Sequence, residues 1–340
     1  MSKAPTRILL TGISGFIGHH ILTYFLQRTD WDIVGVASWQ HKGLPSRIFD
    51  NPVYQENKHR VTVITHDLTT PWTGAVKKEI GQVEYIFNLA SDSHVDRSIT
   101  DPVPFTSNNV AIILNMLELA KEIKPKVFLQ FSTDEVYGQA NIGENYKEWS
   151  PIVPSNPYSG SKAAQEAIAI SYWRTYKVPV IITNTMNVFG ERQDAEKFIP
   201  LCVKCAATGQ KLSIHAYPDL SKAGSRFYLH ASNVADGLLF IINNLPPKMN
   251  PDVDRPDRYN LVGEVEMDNL ALAQMIAQIV GKNLNYELVN FHSSRPGHDC
   301  RYALDGQKLA ELGWTPKVKF DDSLAAVVKY TALHLSDKHK

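Results

Sequence analysis

The chain has 340 residues, 44% of them hydrophobic and 21% charged, with 35 basic and 35 acidic side chains that give a formal net charge of zero. That balance suits a folded protein of two lobes or one large domain with an appendage, and it excludes a disordered chain or a polyanion binder built on basic tracts. No stretch approaches the roughly 18 apolar residues of a membrane span, and the apolar run Ile8, Leu9, Leu10 is too short for a secretory signal core.

In the first half, short apolar runs at 7–10, 33–37, 61–65, 85–90, 127–132 and 180–184 predict strands. Between them, residues 16–28, 103–123 and 158–176 carry apolar side chains at helical spacing. Strands alternating with helices predict a Rossmann-type, doubly wound parallel sheet (α/β class) with its ligand site at the carboxyl ends of the strands. After residue 184 the regularity breaks. Segments 217–224, 245–258 and 293–297 are rich in Pro and Gly, and helices are expected at 196–208, 232–243, 268–280 and 321–334. The expected division is 1–185 with about 229–262 for the dinucleotide, and 186–228 with about 263–335 for a smaller, irregular α/β lobe that binds substrate.

Between the first strand and the first helix stands Thr11-Gly12-Ile13-Ser14-Gly15-Phe16-Ile17-Gly18. The glycines allow a tight turn and close backbone approach, and the helix start offers free N–H groups to a pyrophosphate. Gly12, Ser14, Gly15, Phe16, Ile17 and Gly18 are therefore the expected dinucleotide cradle. The acid that usually follows the second strand to bind a ribose hydroxyl is missing, since that strand ends Val36-Ala37-Ser38. Ser38, His41, Lys42 or Arg47 could receive a ribose phosphate instead, which tilts the expectation slightly from NAD to NADP. Asp67 and Leu68 suit an adenine contact, although an aspartate capping its own loop explains the pair nearly as well. Leu89, Ala90 and Ser132, at the ends of predicted strands, are expected beside the cofactor.

Tyr158 and Lys162 follow Asn156-Pro157 at a predicted helix start, and their spacing puts them on one helical face. A lysine ammonium and an oxidised nicotinamide would both draw the phenol down from its usual pKa of about 10, making Tyr158 a base for a sugar hydroxyl. None of the twelve histidines has a metal-ligand spacing such as His-Glu-x-x-His, so no metal is expected. Cys202-Val-Lys-Cys205 formally matches a redox or half-zinc pattern, but it lies in a helix-like stretch without a second ligand pair. With only three cysteines a disulfide framework is not expected, and the cytoplasm is the natural compartment.

From about residue 7 to 335 the sequence resembles the extended short-chain dehydrogenase/reductase family, most closely its dTDP-glucose 4,6-dehydratase group. The segments at 93–99, 132–138, 158–162 and 295–302 carry the likeness. It implies a tightly bound NAD(P) regenerated in each turnover and a nucleotide-diphosphate sugar as substrate. Glu135 is then the base at sugar C5, Asp134 the acid at O6, and Thr133 a hydrogen-bond partner near O4. The resemblance also implies Ser93 as a substrate contact, Asn187 and Arg226 at the diphosphate, Arg295 and His298 near the nucleoside, and Gln193, Glu196 and Lys197 at the base end. It also implies a homodimer through the helices at 103–123 and 158–176. Changes from the group at Val188, Phe189, Glu191 and 217–225 leave dTDP, UDP, CDP and GDP sugars open. A nucleotide-sugar 4-epimerase or UDP-glucuronate decarboxylase would use Tyr158 and Lys162 but leaves the acid pair unexplained. A non-catalytic dinucleotide sensor would need neither.

Overall fold

The computed structural model describes residues 5–40, 42–249, 254–290 and 299–335. Among the described residues the central sheet is built of the parallel strands β1 (Arg7–Thr11), β2 (Asp32–Ala37), β3 (Val61–Thr65), β4 (Tyr85–Asn88), β5 (Val127–Thr133), β6 (Val180–Thr185) and β10 (Asp257–Leu261). They lie side by side in the order β10-β6-β5-β4-β1-β2-β3. The order reverses between β1 and β4, which opens a crevice beyond the carboxyl ends of these strands. Two apolar layers sandwich the sheet: one holds Ile8, Leu10 and Phe87 against helix α1 (Phe16–Arg28) and helix α9 (Ala231–Asn244). The other packs Leu9, Ile86 and Phe128 against helices α6 (Pro102–Ile123) and α7 (Pro157–Tyr176). Successive strand residues point to opposite faces, so a strand covered on both sides must be apolar at nearly every position.

The predicted strands and long helices of the first half are present, with one shortened: β4 stops at Asn88, and Leu89 and Ala90 leave the sheet as a loop. The cause is Thr11, whose Oγ1 accepts from the N–H groups of both Leu89 and Ala90 at 3.0 Å and draws the chain out of the strand ladder. The seventh strand, β10, is a correction to the expected Pro/Gly-rich segment 245–258. Its sequence Asp-Arg-Tyr-Asn-Leu hardly reads as a buried strand, yet all five residues are buried. Asp257 accepts from Lys248 N, and Asn260 Nδ2 donates to the carbonyls of Tyr146 and Asp305, while Arg258 Nε and Asn260 Oδ1 find no hydrogen-bond partner among the described residues.

The second lobe is more regular than expected. It contains β7 (Asn187–Phe189), β9 (Ser225–His230) and β11 (Glu266–Asp268) in one sheet, and β8 (Leu212–Ala216) beside β12 (Tyr286–Asn290) in another. Helices α8 (Phe198–Thr208), α10 (Asn269–Val280) and Phe320–Leu333 close a separate apolar core. Cys202 and Cys205 are buried in that core as packing residues, and burial pushes the Cys202 thiol up, far from a thiolate.

Candidate active site

The glycine turn is shaped by close approach. Gly12 has φ +69°, and a Cβ there would lie 3.2 Å from the Ala90 backbone. A Cβ on Gly18 would stand 2.0 Å from Gly12 O, so only glycine lets α1 start this near β1. Among the described residues no side chain caps the start of α1, and Ser14, Phe16 and Ile17 there line the crevice. These features fit a dinucleotide pyrophosphate, which needs backbone donors at close range.

A cleft of about 410 Å³ runs from this turn along the strand ends. At one end it is lined by Ser38, Asp67 and Leu68, in the middle by Leu89, Ala90 and Ser132, and further on by Thr133, Asp134, Glu135, Tyr158 and Lys162. Ser93, Asn187, Glu196 and Lys197 wall its far side. Arg226 stands apart, in an adjoining cavity of about 210 Å³ that shares Glu135, Asn187, Glu196 and Lys197 with the first. His41, Arg295 and His298 lie outside the described residues, as does the segment 293–297.

Two residues expected to receive a ribose phosphate are already engaged. Arg47 is buried, donating to the carbonyls of Arg192 (2.9 Å) and Lys42 (2.7 Å) and lying 3.2 Å from Asp194. Lys42 pairs with Glu196 at 2.8 Å. Asp67 accepts from Thr69 N and Thr69 Oγ1 through Oδ1, the turn-capping arrangement, while still bordering the cleft.

Local sequence explains how Tyr158 is presented. Asn156 Oδ1 accepts from Ser159 N, Ser159 Oγ accepts from Asn156 N, and Pro157 fixes the first helical position, so α7 must begin there with Tyr158 in its first turn. Lys162, one turn later, is buried with Nζ donating to Phe131 O at 2.8 Å and Gln165 Oε1 at 2.7 Å. Burial brings its pKa down to about 8, against the pull of Glu166. The expected effect of Lys162 on Tyr158 is not what governs that phenol. Burial first, then Glu135, hold the hydroxyl well above its ordinary range, and a hydrogen bond with Thr133 acts the other way.

Thr133 ends β5, and the turn Asp134–Tyr137 follows directly. Its Oγ1 donates to Asp134 Oδ1 (2.9 Å) and accepts from Glu135 N (3.3 Å). Asp134 Oδ2 is buried with no hydrogen-bond partner among the described residues. Burial, with the Glu135 charge second, pushes the Asp134 carboxyl up to about 7. Burial also raises Glu135, but Asn156, Arg226 and Lys197 all favour its charged form. Arg226 donates to the carbonyls of Ser225, Asp299 and Cys300, and its guanidinium carbon lies 4.4 Å from the centre of the Tyr302 ring. The fork is thus held by backbone, leaving its charge directed at the acid pair.

The sequence reading missed the polar chain beneath the site. Thr11 Oγ1 donates to Asn88 Oδ1, Asn88 to Gln130, Gln130 to Gln165, and Gln165 accepts from Lys162. Asn88 and Gln130 were visible as amides inside otherwise apolar strands, where a buried polar group must find a partner.

The chain matches the family described as GDP-mannose 4,6 dehydratase over residues 9–327. It is 34% identical to the low-salt glycan biosynthesis protein Agl12 of Haloferax volcanii, over 95% of this chain and 97% of that protein. It is 33% identical, with the same coverage, to the dTDP-glucose 4,6-dehydratase of Haemophilus influenzae. A double mutant of the dTDP-glucose 4,6-dehydratase DesIV of Streptomyces venezuelae, solved with NAD and DAU bound, superposes with a TM-score of 0.83 at 29% identity over 96% of each chain. A glycine cradle leading to Tyr158, Lys162 and an adjacent acid pair, in a chain that matches from end to end, makes this protein a member of the GDP-mannose 4,6 dehydratase family of extended short-chain dehydrogenases/reductases.

Proposed function

We propose that this protein is an NAD-dependent nucleotide-sugar 4,6-dehydratase, with a dTDP-hexose as the first substrate to test. The observation that carries this reading is the buried pair Asp134 and Glu135, set beside Tyr158 and Lys162 with its two carboxyls in different electrostatic surroundings. A 4-epimerase or decarboxylase needs only the tyrosine and lysine, and the acid pair would then be a buried liability without a task.

Bound nicotinamide would supply a reversible store for one hydride, and its positive ring would offset the burial that keeps Tyr158 protonated. Tyr158, oriented by Thr133, accepts the proton of the C4 hydroxyl as that carbon is oxidised. Lys162 has two N–H donors committed to Phe131 O and Gln165, leaving the third for a ligand hydroxyl. With C4 a ketone the C5 proton becomes acidic; Glu135 removes it, and Asp134 gives its proton to the C6 hydroxyl, which leaves as water. A hydride given back to C6 from bound nicotinamide would complete a 4-keto-6-deoxy sugar once Glu135 returns its proton to C5.

NAD is favoured over NADP because Arg47 and Lys42 are paired within the protein, and because DesIV was solved with NAD. The nucleotide half of the sugar would lie in the cavity at Arg226, under residues 186–228 and 263–335, with residues 1–185 and 229–262 holding the dinucleotide. A homodimer through α6 and α7 accounts for Val103 and Tyr176, which are 73% and 51% exposed on those helices. We place the reaction in the cytoplasm, where unpaired cysteines stay reduced.

The test is to supply dTDP-, UDP-, CDP- and GDP-hexoses separately and follow products by mass spectrometry. Loss of one water from a single nucleotide sugar supports the reading and names the base. An isobaric product with altered sugar stereochemistry would sink it in favour of an epimerase.

A further inference from the structure

We propose that the buried pair Glu166 and Arg258 clamps both ends of the Asp134–Tyr137 turn, and so decides where the two acid side chains stand. This rests on the dehydratase reading above.

Glu166 follows Lys162 by four residues on α7 and faces the sheet; Arg258 reaches in from β10, and neither side chain has any exposure. Nη2 of Arg258 comes within 2.7 Å of Glu166 Oε2 without lining up for a hydrogen bond, so the contact is one of charge. One further atom on each side chain leads to the turn, while Arg258 Nε has no hydrogen-bond partner among the described residues. Glu166 Oε1 accepts from Asn184 Nδ2 at 2.8 Å, and the same amide donates to Thr133 O at 3.0 Å, the carbonyl that enters the turn. Arg258 Nη1 donates to the Tyr137 hydroxyl at 3.0 Å, and Tyr137, the last residue of the turn, donates in its turn to Glu148 O at 2.8 Å. The guanidinium carbon lies 4.3 Å from the centre of the Trp149 ring, which covers it.

The turn is therefore tied at its first carbonyl through the carboxylate and at its last side chain through the guanidinium. A dry ion pair is weak evidence for stability, and its best-attested use is to specify register. That use fits here, because Asp134 and Glu135 sit between the two ties. Glu166, Arg258, Asn184 and Tyr137 do not line the cleft, so they act through the turn and are positioning residues. The expected signature is selective: Tyr158 and Lys162 belong to α7 and keep their place, so oxidation survives while elimination suffers.

The experiment compares wild type with Tyr137→Phe, which cuts one tie and leaves the ion pair, and with the double variant Glu166→Gln/Arg258→Met, which removes both charges together. Each is incubated with NAD and dTDP-glucose while water loss is followed by mass spectrometry and reduced nicotinamide by its near-ultraviolet absorbance. Per folded molecule, water loss should slow on the order of tenfold to a hundredfold, with reduced nicotinamide building up during turnover. Unchanged water loss, or oxidation and water loss falling in equal proportion, overturns the clamp while leaving the dehydratase reading intact. A wild-type enzyme that oxidises the sugar and never releases water overturns both.

Discussion

Asp134 and Glu135 are neighbours in the chain and both buried, yet their carboxyls meet different partners. Asp134 accepts one hydrogen bond from Thr133, its Oδ2 finds no hydrogen-bond partner among the described residues, and burial with the Glu135 charge pushes its carboxyl up to about 7. Glu135 faces Asn156, Tyr302, and the charges of Arg226 and Lys197. Burial raises both carboxyls, but the donors and cations facing Glu135 favour its charged form while Asp134 is pushed up to about 7, the sense of difference that an acid and a base in the same elimination require.

Substitution should separate the two halves of the reaction. Tyr158→Phe is expected to lower sugar oxidation by roughly two to four orders of magnitude, the usual contribution of a positioned acid or base. Glu135→Gln should leave oxidation measurable while suppressing water loss to a similar degree. Single-turnover kinetics, with reduced nicotinamide and product mass read in parallel, check both. Normal product formation by Glu135→Gln would remove it as the C5 base.

The Asp134 shift has a consequence for stability with a definite sign. Its carboxyl keeps a proton up to about pH 7 in the folded protein, whereas the unfolded chain releases it near the ordinary value of about 3.9. Between those pH values the folded state binds more protons, so this group makes the protein less stable as pH rises, with the loss complete above 7. Asp134→Asn should therefore gain on wild type progressively from about pH 4 to pH 7, by a few kcal/mol at most, and hold that difference above. Urea unfolding of both proteins across this range measures it, and a pH-independent difference would contradict the assigned protonation.

Arg47 should matter for structure and not for cofactor choice. Its guanidinium joins the segment after β2 to residues 192 and 194 at the entrance to the second lobe. Arg47→Ala leaves Asp194 and two carbonyls without their donor and should destabilise the protein by about 3 kcal/mol. The ratio of NAD to NADP affinities should stay as in wild type. A selective loss of NADP binding would show that Arg47 reads the ribose after all.

Gly18→Ala tests the cradle itself. The added methyl would meet backbone atoms of Gly12 at 2.0 and 2.8 Å, which no rotamer change relieves. The variant is expected to lose at least about 2 kcal/mol of stability through overpacking. Its nicotinamide affinity should also fall, as read by calorimetric titration, because α1 can no longer start where the turn needs it. Wild-type affinity and thermal midpoint would refute this account of the turn.

Sequence alone determined the parts of this protein that depend on local rules. Glycine spacing located the cradle, apolar periodicity located α1 and six strands of the central sheet, and Asn156-Pro157 marked the start of α7 that presents Tyr158. These signals are legible because a turn, a helix cap or a buried face is set by residues a few positions apart. Tertiary structure decided the rest. β10 escaped notice because Arg258 and Asn260 look like loop residues until partners far along the chain, Glu166 for the first and Tyr146 and Glu148 for the second, enclose them. Arg47 suggested a phosphate ligand until Arg192 and Asp194 claimed it. The Asp134-Glu135 pair was visible in the chain, but the difference between its two carboxyls was not, because a pKa is set by the charges, donors and solvent that folding brings around a group, and these come from distant segments.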